Sequence, residues 1–144
     1  MIPIKIKTKA NAKVPTYQSS GAAGADVYAF IDEPITLHPG ETKLIPTGIF
    51  IEIPGGYEAQ IRPRSGLALK HGITLLNTPG TIDSDYRGEV KIIITNLGQE
   101  SFVIENEMRI AQMVFNKVYV GHFIESNTLK DSKRDTGGFG SSGV

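Results

Sequence analysis

The chain has 144 residues, 40% hydrophobic and 21% charged, which predicts one domain able to bury a core. Lys and Arg together number 15, as do Asp and Glu, so a neutral chain has no electrostatic footprint for non-specific nucleic-acid binding. There is no cysteine, which excludes disulfides and thiolate chemistry.

The start, "MIPIKIKTKANAK", alternates and is charged. It has no apolar run of the length a signal peptide or a membrane span needs, so a soluble, cytoplasmic protein is expected. Residues 2–7 alternate strictly, as a half-exposed strand does. Short β-rich runs follow at 25–30, 34–41 and 42–54, broken by Pro39-Gly40 and by Pro54-Gly55-Gly56. Residues 57–64 alternate again. The segment "SGLALKHG" (65–72) is the one helical candidate, of one or two turns. Further strands are expected at 72–77, 89–96, 101–105, 109–116 and 118–125. Strands recurring at this spacing between turn signals predict an all-β sandwich or barrel. Residues 92–95 and 118–123 are apolar on both alternating faces, which suggests central strands or a face covered by another subunit. From about Lys130 the chain turns polar and glycine-rich, so order is expected to end there, giving a β domain at 1–129 and an arm at 130–144. His38, His71 and His122 are scattered without a second ligand at metal spacing.

Five stretches invite chemistry. In "RPRSGLALK", Arg64, Ser65 and Gly66 open the short helix, whose free N–H groups form an anion site; an ordinary capped turn with surface arginines fits as well. In "LLNTPGTIDSDYRGEV", Asp83 follows apolar Ile82 and precedes Tyr86. A turn explains the acids, but a carboxylate beside an apolar wall also suits a general base that orients water. In "RIAQMVF", strict alternation puts Arg109, Ala111 and Met113 on one face and Ile110, Gln112 and Val114 on the other, so Gln112 must find hydrogen bonds in the core or on a ligand. The small residues of "GAAGADVYAF" let backbones approach closely, with Asp26 at the start of the strand, where a turn acid is the ordinary role. The fifth is the end, "RDTGGFGSSGV", whose glycines suit no packed strand and whose phenylalanine suits no solubilising tail. Taken together they offer cations, a lone carboxylate, an aromatic ring and a glycine tail, an inventory that suits nucleotide phosphates, a positioned water and a flat base.

Five motifs in order, "GADVYAF", "PRSGLALK", "GTIDSDYRGEV", "RIAQMVF" and "RDTGGFGSSG", resemble those of the trimeric dUTPase family. The resemblance implies a jelly-roll-like fold, a homotrimer with sites shared between subunits, and magnesium-dependent hydrolysis of dUTP to dUMP and pyrophosphate. By position, Asp83 resembles the base that orients water, and Gln112 a further phosphate and water contact. Tyr86 resembles the residue beneath deoxyribose that excludes a 2′-hydroxyl. Asn77 and the backbone of a hairpin at 76–86, with Gly80 and Ile82, resemble the uracil pocket, and Lys91 is grouped with the substrate contacts. Arg64, Ser65 and Gly66 resemble the phosphate binders. In the last motif Arg134 would reach the far phosphate, Phe139 would stack on uracil, and Gly140 and Ser141 would approach phosphate oxygens, all donated to a neighbour's site. Magnesium would be held by the substrate phosphates, with Asp26 meeting it through water or supporting the site. Arg109 is expected in a structural hydrogen bond between subunits. Asp135-Thr136 stands where the family usually has glycine after the arginine, and Ser142 where it often has threonine. The competing readings are a dCTP deaminase on the same fold, for which "EVKIIITNLG" lacks a buried glutamate, and a non-catalytic dUTP-binding module.

Overall fold

A computed structural model describes residues 1–138. These residues form eleven strands and one helix: β1 (Lys5–Thr8), β2 (Ala25–Tyr28), β3 (Ile35–Leu37), β4 (Thr42–Pro46), β5 (Ile49–Glu52), β6 (Tyr57–Arg62), α1 (Ser65–His71), β7 (Ile73–Leu75), β8 (Gly80–Ile82), β9 (Lys91–Asn96), β10 (Phe102–Ile104) and β11 (Arg109–Lys117). Every pairing is antiparallel. A four-stranded sheet runs β2-β11-β6-β8 and a three-stranded sheet β4-β9-β7, with the pairs β1-β5 and β10-β3 beside them.

The two larger sheets share one core. Val27, Ile61, Ile82, Ala111 and Met113 come from the first, and Ile45, Ile73, Leu75, Ile92 and Ile94 from the second. This is the all-β packing the strand pattern predicts and fits the jelly-roll-like fold the resemblance implies, with side chains of two inner faces filling the space between sheets. The helix buries no residue. It ends at Gly72, whose φ of +67° allows the left-handed cap and whose N–H donates to the Ala68 carbonyl. No helix among the described residues is long and apolar enough to cross a membrane.

Four expectations need correction. The first strand pairs at Lys5–Thr8, later than 2–7, because its partners Ile49–Glu52 lie opposite those residues. The run 42–54 is two strands in different sheets, since β4 pairs with β9 and β5 with β1. Gly48, at φ +68°, makes the break, and the buried Thr47 hydroxyl fixes it by donating to the Val90 carbonyl. Residues 76–86 are not a hairpin. β7 pairs with β9 while β8 pairs with β6, so the segment crosses from one sheet to the other and buries Leu75 and Ile82 on opposite sides of the core.

The fourth correction is at 118–125, where no strand forms, and the last element ends at Lys117. Tyr119, Val120, Phe123 and Ile124 are exposed. A run apolar on both faces needs cover on both, and within this chain it has no partner strand among the described residues.

Gly48 is a stringent point of the fold. A Cβ there would lie 2.6 Å from that of Ala12 and 2.9 Å from the Phe30 ring, besides the left-handed φ. Gly48→Ala should therefore destabilise the protein by about 1–3 kcal/mol in denaturant unfolding. A loss below about 0.5 kcal/mol would contradict this account of the turn.

Candidate active site

A cleft of about 410 Å³ opens beside β8 and β9. Asn77, Gly80, Ile82, Asp83, Tyr86 and Lys91 all line it. The local sequence explains their placement. Gly80 registers opposite Ile61 of β6, and a Cβ at Gly80 would fall 3.1 Å from Asn77 Nδ2, so glycine lets the Asn77 side chain close on the strand. Ile82 is buried and anchors β8, which leaves the next residue, Asp83, exposed at the cleft. The chain then turns, with Tyr86 N–H donating to the Asp83 carbonyl at 3.2 Å. Arg87 ties the turn from outside by donating to the carbonyls of Ser84 and Tyr86 at 2.7 and 2.9 Å.

A second group gathers around Asp26, which is 1% exposed. Strict alternation puts Arg109 and Gln112 on opposite faces of β11, but the register shifts between Arg109 and Ala111. Arg109 pairs with Tyr28 and Ala111 with Val27, so the extra residue turns Arg109 onto the same face as Gln112 and its partner Asp26. Arg109 Nη1 donates to Asp26 Oδ2 at 3.1 Å, and Gln112 Nε2 donates to Oδ1 at 3.2 Å. Arg64 Nε lies 3.5 Å from Oδ1, and Arg64 Nη1 donates to the Arg109 carbonyl at 3.0 Å. Asp26 is thus more than a turn acid, and Arg109 makes its ion pair within the chain. Gly24 permits the approach, since a Cβ there would sit 3.2 Å from Gln112 Cβ. Ser65 and Gly66 are exposed at the start of α1, whose cap residue Arg64 makes no side-chain capping bond. Two guanidiniums against one carboxylate leave a net positive charge beside those helix N–H groups.

These two groups do not meet. Asp26 lies on β2 and Asp83 follows β8, the opposite edges of the four-stranded sheet. Three strand spacings separate them by about 14 Å. Arg134 joins neither group. Its Nε donates to the Gly137 carbonyl at 2.7 Å in a local turn that carries Asp135 at φ +44°. Phe139, Gly140 and Ser141 lie outside the described residues.

Glu89 was not singled out by sequence, yet it is tied into the cleft floor. Burial pushes its carboxyl pKa up, but the Lys9 hydrogen bond, the Gly48 N–H and the charges of Lys9 and Lys91 outweigh this and hold it below the usual carboxylate range. Lys9 and Glu89 are 80 residues apart, so no local pattern pairs them. The clue in the sequence was its place in "DYRGEV", just after the aromatic. On another side of the molecule an apolar groove of about 750 Å³ is lined by Ile4, Val14, Tyr57, Met113 and Phe115, with Asn116 beside them. The Asn116 amide nitrogen is buried without a hydrogen-bond partner among the described residues. No group of three or more His, Asp or Glu is gathered as a metal site among the described residues.

The dUTPase family model matches residues 10–143. The chain is similar to the deoxyuridine 5'-triphosphate nucleotidohydrolase of Thermoanaerobacter sp. (strain X514), 58% identical over 99% of both chains. It is 57% identical to the enzyme of the same name from Chlamydia pneumoniae, over 92% of each. Among solved structures, the Staphylococcus bacteriophage 80alpha dUTPase with dUPNHPP superposes with a TM-score of 0.89 at 27% identity, covering 99% of both chains. A point mutant of the dUTPase from phage phi11 of S. aureus, whose structure details the coordination of a structural Mg(II) ion, shares the fold with a TM-score of 0.79 at 21% identity, over 88% of this chain and 97% of that one. With a family model spanning nearly the whole sequence and relatives identical at more than half of their positions, the chain belongs to the dUTPase family.

Proposed function

We propose that the chain is a dUTP diphosphatase that hydrolyses dUTP to dUMP and pyrophosphate. The observation that carries this reading is the cleft, where an exposed Asp83 stands beside Asn77, Gly80 and Tyr86 at the end of a short strand. Asp26, by contrast, is buried under three partners and is not available as a base. Asp83 takes a proton from a water molecule as that water attacks the α-phosphorus. The bond from the α-phosphorus to the bridging oxygen breaks, and pyrophosphate leaves. A base of this kind contributes about 10²–10⁴-fold.

The remaining roles follow from placement. Asn77 and the backbone around Gly80 and Ile82 read the uracil edge, Tyr86 lies under the deoxyribose, and Lys91 adds a cation at the cleft wall. Arg64, Ser65 and Gly66 bind phosphates with the cationic cluster and the free N–H groups of α1. Gln112 spends one amide N–H on Asp26 and keeps the other for a phosphate oxygen and Oε1 to accept from the water. Both Asp26 oxygens are engaged by Gln112, Arg64 and Arg109, and the surrounding charge is positive, so the cluster does not fit a directly bound divalent cation. Asp26 therefore supports the site. Magnesium would be held by the substrate's phosphates, with no residue of this chain as a direct ligand, and would supply charge neutralisation there.

The assembly is a homotrimer. Asp83 follows the end of β8 that pairs with Ala59, whereas Arg64, Ser65 and Gly66 leave the other end of β6 and Asp26 lies on the far edge strand, so neighbouring copies supply the missing half of each site. The exposed apolar run 118–124 and the groove with the Asn116 amide, which has no partner among the described residues, are the surfaces such copies would bury. Residues 1–129 serve as the β domain. Residues 130–144 serve as an arm that brings Arg134, Phe139, Gly140 and Ser141 over a neighbour's site. The enzyme works in the cytoplasm, where it limits uracil in DNA and supplies dUMP for thymidylate synthesis.

Given dUTP, dCTP, dTTP and UTP with magnesium, the protein should release pyrophosphate from dUTP alone and ammonia from none. Ammonia from dCTP would make it a deaminase. Binding of dUTP with no product would make it a binding module. Asp83→Asn should keep dUTP affinity within about threefold and lower kcat by about 10²–10⁴-fold in single-turnover assays. Near-normal turnover in that variant would remove Asp83 as the base.

A further inference from the structure

The roles above leave one braced structure beneath the cleft unused. Tyr86 O–H donates to the main-chain carbonyl of Glu89 at 3.1 Å. Its ring lies against the bare backbone of Gly88, where an added Cβ would fall 2.5 Å from Tyr86 Cζ and closer still to the hydroxyl oxygen. Glu89 itself is tied from below. Its Oε1 accepts from Gly48 N–H at 2.9 Å, and its Oε2 accepts from Lys9 Nζ at 2.9 Å. Lys9 N–H donates to the Gly48 carbonyl at 2.8 Å, which closes a ring of three hydrogen bonds. The Glu89 side chain is 11% exposed, so this ion pair is shielded where most surface pairs are screened.

The turn that holds Glu89 has little freedom. Gly48 is boxed in by Ala12 and Phe30 and sits at a positive φ. On the far side of Glu89, Val90 N–H donates to the Ile49 carbonyl at 2.9 Å, and the Thr47 hydroxyl donates to the Val90 carbonyl. The depth of the Tyr86 ring is therefore set by the turn between β4 and β5 and by the segment at Lys9, both distant in sequence. A gate that separates deoxyribose from ribose works on the clearance of one oxygen atom. A floor free to sink by about an ångström would admit that atom, and misplacements of this size are costly or permissive far beyond their scale.

We propose that Glu89 is a positioning residue for sugar selection, holding Tyr86 at the depth that admits deoxyribose and excludes a 2′-hydroxyl. The proposal rests on the reading of Tyr86 as the residue under the sugar. Gly88 belongs to the same device, because only a residue without a side chain lets the ring settle at that depth.

The test is the ratio of kcat/KM for dUTP over UTP in the full-length enzyme, with thermal unfolding alongside. Glu89→Gln keeps an acceptor for Gly48 N–H and loses the charge pair, and Lys9→Met removes the pair from its half-exposed end. Each should lower the ratio about tenfold through faster UTP turnover and a raised KM for dUTP, with kcat for dUTP within about threefold of the parent. Lys9→Arg should restore the ratio. Activities on dUTP and UTP that fall in step, leaving the ratio unchanged, would overturn the proposal and make Glu89 a stabilising residue only. Should Glu89→Gln fail to fold, Lys9→Met alone decides. Tyr86→Leu separates the role of the tyrosine from that of its brace. An unchanged ratio in that variant defeats the reading of Tyr86, whereas a collapsed ratio there with intact selectivity in the Glu89 and Lys9 variants defeats this proposal alone.

Discussion

Asp26 is 1% exposed, and a carboxylate that deep must have its charge met. Arg109, Arg64 and Gln112 meet it, and each requires something of the backbone. Arg109 reaches it only because β11 carries an extra residue between Arg109 and Ala111. Gln112 reaches it because it pairs with Asp26 across the β2-β11 ladder, beside a Gly24 that has no side chain to interfere. Arg64 reaches it from the end of β6, which fixes where α1 begins. Removing the Asp26 carboxylate would leave Arg64 and Arg109 facing each other with no counter-charge. The cluster therefore locks the register of β2, β11 and β6 together, and β6 in turn carries β8 and the cleft.

That lock also separates the chemistry. Asp26 sits on the far edge strand and Arg64 lies beyond the end of β6 that points away from Asp83, so the cationic cluster and Asp83 stay apart within one chain. In the proposed reading, a site built from both draws its halves from different copies. The exposed apolar run after Lys117 fits this arrangement, since it makes no sense as the surface of a finished monomer. Within each cleft the demands differ from those at Asp26. The groups are exposed and few, and they are held in place by tight turns and by the Lys9–Glu89 pair, with little packing to help. Positioning of this kind is what phosphoryl transfer asks of a protein.

The fold was largely legible because its strands are short, β-rich and punctuated by Gly and Pro. The helix at Ser65–His71 and the strand at Arg109–Lys117 were read nearly to the residue. Four places were not, each for a tertiary reason. Lys5–Thr8 takes its limits from the strand opposite. Gly48 splits a run whose periodicity is unbroken, and only its surroundings show why. The 76–86 segment has the turn residues of a hairpin, but its two strands find better partners in different sheets. The 118–125 run has a strand's composition without a strand's neighbour. For the site, motif order brought Asn77, Gly80, Ile82, Asp83, Tyr86 and Lys91 to one cleft. Strict alternation misplaced Arg109 relative to Gln112, because a bulge leaves no mark in a periodicity count. Glu89 escaped notice because its partners are a backbone N–H and a lysine 80 residues away.

The claim on which the rest turns is that each site is assembled from more than one copy, with the arm supplied by a neighbour. Co-assembly tests it directly. Asp83→Asn chains and chains ending at Lys133 are each prepared alone, then unfolded and refolded together, and dUTP hydrolysis is measured at equal total protein. The account predicts that either variant alone is nearly inactive and that the mixture recovers a substantial fraction of parental activity, because some sites then combine an intact Asp83 with an arm from the other chain. Mixed oligomers that form but stay as inactive as their parents would contradict it, and would return the whole site to a single chain.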